Sequence, residues 1–539
     1  MKKQIIITVI LLIATIAVTV YYFANLNPPG FQNNQVVQAI PENAPFIIEF
    51  NNDKSFYDIF KEDNLFAVLA GKQTLDDLAA VQKQILLNPL TEQYFTGQNV
   101  FISLHPVDHN EVGLLVTLAP IKGFESSAFT NLANQAQAGI GISSFNLGKR
   151  LIYNINVKAI NKTFYLTINE NNIISGSFSK QLVELVATRK TKGYKPSFTI
   201  PSDQQAANSL AYLYINYSQL NPLFVQLFKN KTDDILENFR HTSGYATLSF
   251  NYRSDAMLFN GLSKIESTQQ QGYLSIFNHQ KTVDNHLKDI LPSSTAYCTS
   301  FGVSDPKLFE ADLTEYQNQK GLKAERDQLF LKIKSETGIK LKTEFSNLLG
   351  NEFAILTTKY FEKFAIVAVK NGNKLKTLLS GMSKMSSENA GSVEYEKLPY
   401  FLLGDAFGSF RHINFMVIDN YLIIAGSNTE LKSFNELYLN RKFLSKNEKY
   451  TQFDNLLAEK SNVSFLCNFK NLLPILKRDL YDNLYARIEQ DEKAYNNFYG
   501  ISYQFSASDQ NFYSNFCLKI NKDSSSVKVD TVGKRLGDR

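Results

Sequence analysis

The feature that most constrains this 539-residue chain is a repeat of about 250 residues. Ile40-Pro41 leads through a proline turn into the strand-like run ending at Phe50, and Leu291-Pro292 leads likewise to Phe301, 251 residues on (41 to 292). Five further correspondences keep the order. Gly97 before NVFISL matches Gly350 before NEFAIL, and Asn172 to Gly176-Ser177 matches Asn420 to Gly426-Ser427. Asn216 matches Asn468, Pro222 matches Pro474, and Gly244 opening YATLSFNY matches Gly500 opening ISYQFSAS. An offset that stays nearly constant over so many positions marks a tandem duplication rather than chance. The copies run 40–265 and 291–520, joined by a linker over 266–290.

Within each copy the hydrophobic period switches. Ala211, Leu213, Ile215 and Tyr217 alternate with other positions, as do Val463, Phe465, Cys467 and Phe469, which predicts half-buried strands. Turn signals at Asp108-His109-Asn110, Asn169 to Asn172 and Asp419-Asn420 join neighbouring strands. Helical stripes lie between them: Leu182, Leu185 and Val186, then Leu431, Phe434 and Leu437, then Leu476, Leu480, Leu484 and Ile488. Strand runs with tight turns and single helices between them predict an α+β fold, each copy a mostly antiparallel sheet-and-helix domain.

Ahead of the repeat, Ile5 to Phe23 is an uncharged apolar run, preceded by Lys2 and Lys3. At about 1.5 Å per residue it is long enough to cross a hydrocarbon core. Bulky Tyr21, Tyr22 and Phe23 argue against a cleaved signal peptide. The expectation is a transmembrane helix over 1–24, single-pass in the cytoplasmic (inner) membrane, with the body facing the periplasm. Residues 25–39, with Pro28, Pro29 and Gly30, read as a stalk, and 521–539 as a loose tail.

The net charge of +5 is concentrated at the two ends: Lys2 and Lys3, and six basic against three acidic residues from Lys519 onward leave the body neutral. A neutral body has no electrostatic footprint for nucleic acid, so none is expected as a partner. Cys298, Cys467 and Cys517 are too few for a disulfide scaffold and fit no zinc spacing. Their sister positions carry Ile47, Ile215 and Leu262, which points to thiols packed as small hydrophobes. A Cys467–Cys517 disulfide is the alternative.

The Pro41 and Pro292 strand entries, repeated behind a single apolar run, resemble a family of bacterial membrane-anchored envelope proteins catalogued only as a domain of unknown function. The resemblance covers 40–520. It implies an envelope location, no established activity and no catalytic residue.

Motif chemistry is sparse. Gly176-Ser177 and Gly426-Ser427 each end a strand and open a helix, where N–H groups can hold an anion or simply be capped; Ser427 with Glu430 fits a capping box. Asn216 and Asn468 precede helix starts and suit the satisfaction of backbone groups. Ser177, Ser427, Asn216 and Asn468 are therefore the weak ligand-site candidates. Gly148-Lys149 is followed by Arg150 where a phosphate loop needs Ser or Thr, which excludes a nucleotide site. His105 and His109 flank Pro106, which forbids a helical metal pair and reads as a hairpin tip. No cofactor and no metal are expected. Catalytic residues are unknown, and the absence of nucleophile motifs points away from an enzyme. The sequence reading is a membrane-anchored extracytoplasmic protein of the envelope that binds or assembles, with an envelope protein or a lipid as partner. A carrier of an apolar ligand such as lipid is the alternative, motivated by the aromatic-rich strands. A hydrolase of envelope polymers without a recognisable motif is third.

Overall fold

The computed structural model describes residues 31–52, 72–107, 111–121, 124–125, 127–134, 139–189, 209–229, 242–253, 255–265, 272–490, 492–509 and 511–521. These form α+β structure with extensive antiparallel sheet, as alternation predicts. The membrane-spanning part of the expectation is corrected: among the described residues no helix is long and apolar enough to cross a membrane. The longest described helix, Lys323–Thr337, has 15 residues and alternates charged with apolar positions. The run expected to span, 1–24, lies outside the described residues, as do the 108–110 turn and 522–539 of the tail.

The chain divides into two compact units. The first holds residues up to 211, apart from 59–75 and 108–111; the second holds those two segments and 212–539. The division falls inside the first copy, so the repeat is not the compact unit.

In the first unit, β1 (Phe46–Asn51), β2 (Asn99–Val107), β3 (Glu111–Leu118), β4 (Ile140–Leu147), β5 (Arg150–Val157), β6 (Lys162–Ile168) and β7 (Ile174–Ser177) pair in the order β1-β2-β3-β7-β6-β5-β4. Gly148-Lys149, excluded above as a phosphate loop, is the two-residue turn between β4 and β5, with Gly148 at φ +61. The helix Lys180–Thr188 packs Leu182 and Val186 on Leu115, and Val183 and Ala187 on Ile152. Leu185, expected on that face, is exposed instead, because the buried stripe is centred one residue round the helix. Stalk residues 31–39 form a helix with Val36, Val37 and Ala39 buried.

In the second unit, β8 (Ala211–Asn216), β9 (Gly244–Arg253) and β10 (Ala256–Ile265) pair in sequence order. Past a small ladder between β11 (Val283–Asp284) and β19 (Lys460–Ser461), the strands are β12 (Thr295–Gly302), β13 (Leu349–Thr358), β14 (Lys363–Val369), β15 (Lys384–Met385), β16 (Ala390–Val393), β17 (Ile413–Ile418), β18 (Tyr421–Ala425), β20 (Val463–Asn468), β21 (Phe498–Ser508) and β22 (Asn511–Ile520). Their order is β12-β13-β14-β18-β17-β16-β15 to one side and β12-β20-β21-β22 to the other. The second copy thus pairs its first seven strands in the order used by β1–β7. The sister trios β8-β9-β10 and β20-β21-β22 also share one pattern, with Asn216 opposite Tyr245 and Asn468 opposite Gly500. Gly244 and Gly500, matched in the sequence, sit one position out of step in the ladders, where Gly500 answers to Tyr245.

The last strands of the two copies meet. β10 pairs antiparallel with β22, Asn260 opposite Asn515. The tight turns of the two hairpins place these asparagines at equivalent positions, since Arg253↔Ala256 answers Ser508↔Asn511. A second self-pairing lies at Phe228 and Leu480, which bridge, with Lys229 N–H donating to Asp479 O (2.7 Å) and Tyr481 N–H to Leu227 O (3.2 Å). Two places where a residue faces its own equivalent define a local twofold relation within this unit.

Two cores line opposite faces of this sheet. One gathers Ala296, Tyr297, Cys467, Leu472, Ile475 and Leu476 under the helix Phe469–Asp479. The other gathers Cys298, Leu356, Phe364, Leu466, Phe434 and Cys517. Residues 272–290, the described part of the segment read as linker, hold two short helical turns on either side of β11, with Tyr273, Leu274, Phe277 and Leu287 buried. Phe277 and Phe353 sit in an aromatic cluster with Phe301, Phe309 and Phe407, neighbouring rings 5.1 to 6.4 Å apart.

Candidate functional site

The four candidates from the sequence are spent on their own backbone, and the structure does not bring them together. Ser427 Oγ accepts from Glu430 N–H (3.2 Å) and donates to Glu430 Oε2 (3.1 Å), holding the first turn of the helix Asn428–Leu439. Ser177, fully buried at the end of β7, donates to Leu114 O (2.7 Å) and accepts from Ser179 N–H (2.9 Å). Asn468 Oδ1 accepts from Asn471 N–H (3.0 Å), capping the helix Phe469–Asp479. Asn216 Oδ1 accepts from Ser218 N–H (3.2 Å) at a short 3-10 turn. Side chains so engaged have little left for a ligand.

A constellation that the sequence reading missed lies in the first unit. His105 is not at a hairpin tip: it stands within β2, on the face shared with Phe101 and Ser103, all three without solvent exposure. Its Nδ1 lies 2.7 Å from Asn43 Oδ1 and its Nε2 lies 2.8 Å from Ser103 Oγ. With Asn43 accepting, Nδ1 carries the proton and Nε2 accepts from the serine hydroxyl. The connectivity is that of a nucleophile, a base and an orienting amide. The environment is not. Burial pushes the imidazole down to about 3, so it stays neutral and is a weak proton acceptor at neutral pH. Ser103 Oγ has no solvent-facing side from which a substrate could approach. Period two along Phe101-Ser103-His105 was the signal that places this histidine inside.

In the second unit, Lys288, Cys298, Ser300, Asp454, Ser464 and Gln504 line a cavity of about 20 Å³, room for one water molecule. Its charges neutralise each other, Lys288 Nζ lying 2.7 Å from Asp454 Oδ2. Gln504 is committed to Ala458, donating to its carbonyl (2.9 Å) and accepting from its N–H (2.8 Å). Glu352 accepts from His286 N–H (2.8 Å) and Leu287 N–H (2.9 Å), which fastens the buried 3-10 turn to β13. Burial raises its carboxyl above the usual carboxylate range, with those N–H groups opposing the shift.

The three cysteines are free and buried. Burial pushes each thiol up to about 12, which leaves almost no thiolate to attack or to bind a metal. The Cys467–Cys517 disulfide is corrected: the two side chains belong to cores on opposite faces of the sheet. Among the described residues no group of three or more His, Cys, Asp or Glu side chains is placed to hold a metal ion.

Comparison with known proteins finds no matching family model, no matching curated protein and no matching solved structure. The reading of these sites rests on their geometry.

Proposed function

We propose that the chain is a non-catalytic binding or assembly protein. The observation that carries the proposal is the burial of Ser103, His105 and Asn43's amide contact: the arrangement with a nucleophile's connectivity is used to satisfy polar atoms inside a core. The cavity described in the second unit has room for one water molecule and so cannot itself hold a lipid, which needs several hundred Å³ of apolar space.

A fluorophosphonate probe tests the proposal directly. The native protein should leave Ser103 unlabelled at neutral pH, and Ser103→Ala should change no hydrolytic turnover of the purified chain. Labelling of Ser103 in the native state would favour the hydrolase reading and overturn the proposal. Native mass spectrometry of the same preparation should give the mass of the bare chain. A retained lipid would favour the carrier.

A further inference from the structure

Where the copies meet, four hydroxyls form a closed cluster. Tyr217 OH lies 2.5 Å from Tyr503 OH and 2.7 Å from Ser263 Oγ, and Ser263 Oγ lies 2.6 Å from Ser514 Oγ. Tyr217, Ser263 and Ser514 have no solvent exposure and Tyr503 is buried. Tyr217 and Ser263 come from the first copy, Tyr503 and Ser514 from the second. Each copy therefore brings two hydroxyls, and the Tyr217–Tyr503 and Ser263–Ser514 contacts cross between copies.

The local twofold relation has a second such place, and it is apolar. The equivalent of Tyr217, one residue after the capping asparagine, is Phe469. The hairpin registers make Leu518 the equivalent of Ser263, Phe259 that of Ser514 and Leu248 that of Tyr503. Phe469, Leu518, Phe259 and Leu248 carry no hydroxyl at all. The polar cluster thus exists on one side of an otherwise repeated junction.

That asymmetry has a consequence for pairing. Strands related by a twofold can each pair with themselves in a second molecule: β10 with β10, β22 with β22. In a β10–β10 pairing, Phe259 of the second molecule would stand where Ser514 stands and its Leu248 where Tyr503 stands. In a β22–β22 pairing, Leu518 would replace Ser263 and Phe469 would replace Tyr217. Either arrangement breaks the contacts that cross between copies and leaves buried hydroxyls against hydrocarbon, which is costly. We propose that the Tyr217–Ser263–Tyr503–Ser514 cluster is a pairing lock, admitting β10 against β22 of the same chain and rejecting like against like between chains. A buried polar contact that selects one partner from near-equivalent ones is an established use of such groups.

The test is refolding of the full chain from urea at high protein concentration, followed by size-exclusion chromatography with light scattering. The variant Tyr217→Phe/Ser263→Ala/Tyr503→Phe/Ser514→Ala removes only oxygen atoms, so all four positions keep their apolar contacts. It is expected to raise the proportion of intermolecular dimer at least tenfold over the unmodified chain refolded alongside. Mixed refolding of isotopically light and heavy chains, cross-linked and digested, should then yield β10–β10 or β22–β22 peptides from different molecules. An unchanged dimer proportion in a variant that refolds would overturn the lock. Should the quadruple variant fail to refold, Tyr503→Phe alone, which loses the 2.5 Å contact from one side, is read the same way: an unchanged dimer proportion again overturns it.

Discussion

The β1–β7 sheet of the first unit and the β12–β18 strands of the second share one strand order, yet they are filled by different chemistry. At equivalent positions of β2 and β13, His105 answers to Thr358, Ser103 to Leu356 and Val100 to Phe353. The first sheet thus buries a hydrogen-bonded imidazole where the second buries a threonine whose hydroxyl donates to Glu362 (2.9 Å). It places a valine where the second centres five phenyl rings. The pairing scheme survives such exchanges because strand register depends on which face is apolar and on the turns, not on particular core residues.

The largest expected consequence of this difference is a sensitivity to acid confined to the first sheet. An unfolded histidine takes up a proton near 6.5, whereas buried His105 resists until about 3. Its contribution is complete above 6.5 and is lost as pH falls toward 3, to the extent of roughly 5 kcal/mol. Hydrogen exchange followed by mass spectrometry between pH 7 and 4.5, corrected for intrinsic rates, should show β2 losing protection ahead of β13. Equal loss in both strands would remove the distinction, and His105→Thr should abolish it.

Next in size is the aromatic centre. Phe353→Ala should cost about 3–5 kcal/mol in the urea dependence of exchange at β13, while Val100→Ala at the equivalent place should cost about 2 kcal/mol at β2. Equal losses would mean that the ring cluster adds nothing beyond ordinary burial.

The caps give a smaller contrast. Asn468 is buried and caps a helix that is α-helical from its first residue; Asn216 is half-buried and caps a three-residue 3-10 turn that runs directly into the helix Leu220–Leu227. Asn468→Ala should lower stability by about 1–2 kcal/mol and Asn216→Ala by roughly 0.5 kcal/mol, read as shifts in the urea midpoint. A reversed order would show that burial of the asparagine and the type of first turn do not govern the value of the cap. Smallest of all, maleimide added to the native chain at pH 7 should label none of Cys298, Cys467 and Cys517 over an hour, and all three in urea without reductant. Rapid native labelling of any one would take that thiol out of the core.

Much of this arrangement was legible in the sequence because it is written locally. Period-two runs marked β8 and β20, and Asn216 and Asn468 marked the points where strands give way to helical turns. Ser427 with Glu430 marked a helix start. What is not local was not legible. The β10–β22 ladder joins strands 255 positions apart (260 to 515) and leaves no pattern in either, so the compact division inside the first copy could not be drawn. Tyr273 to Phe277 follows a glutamine-rich run and reads as linker until Phe301 and Phe353 are seen beside it. His105 was obscured by Pro106, whose turn-forming habit outweighed the alternation that places the imidazole inside.

The ladder between β10 and β22 can also be viewed through mass action. A protein built from one copy would need to meet a second molecule before its last strand found a partner, and dilution would separate them again. Here the partner strand is part of the same covalent chain, so its effective concentration is set by the intervening sequence and stays constant however little protein is present. The eight residue pairs from Ala256↔Lys519 to Ser263↔Phe512 therefore form as readily at the low abundance of a cell as in a concentrated solution.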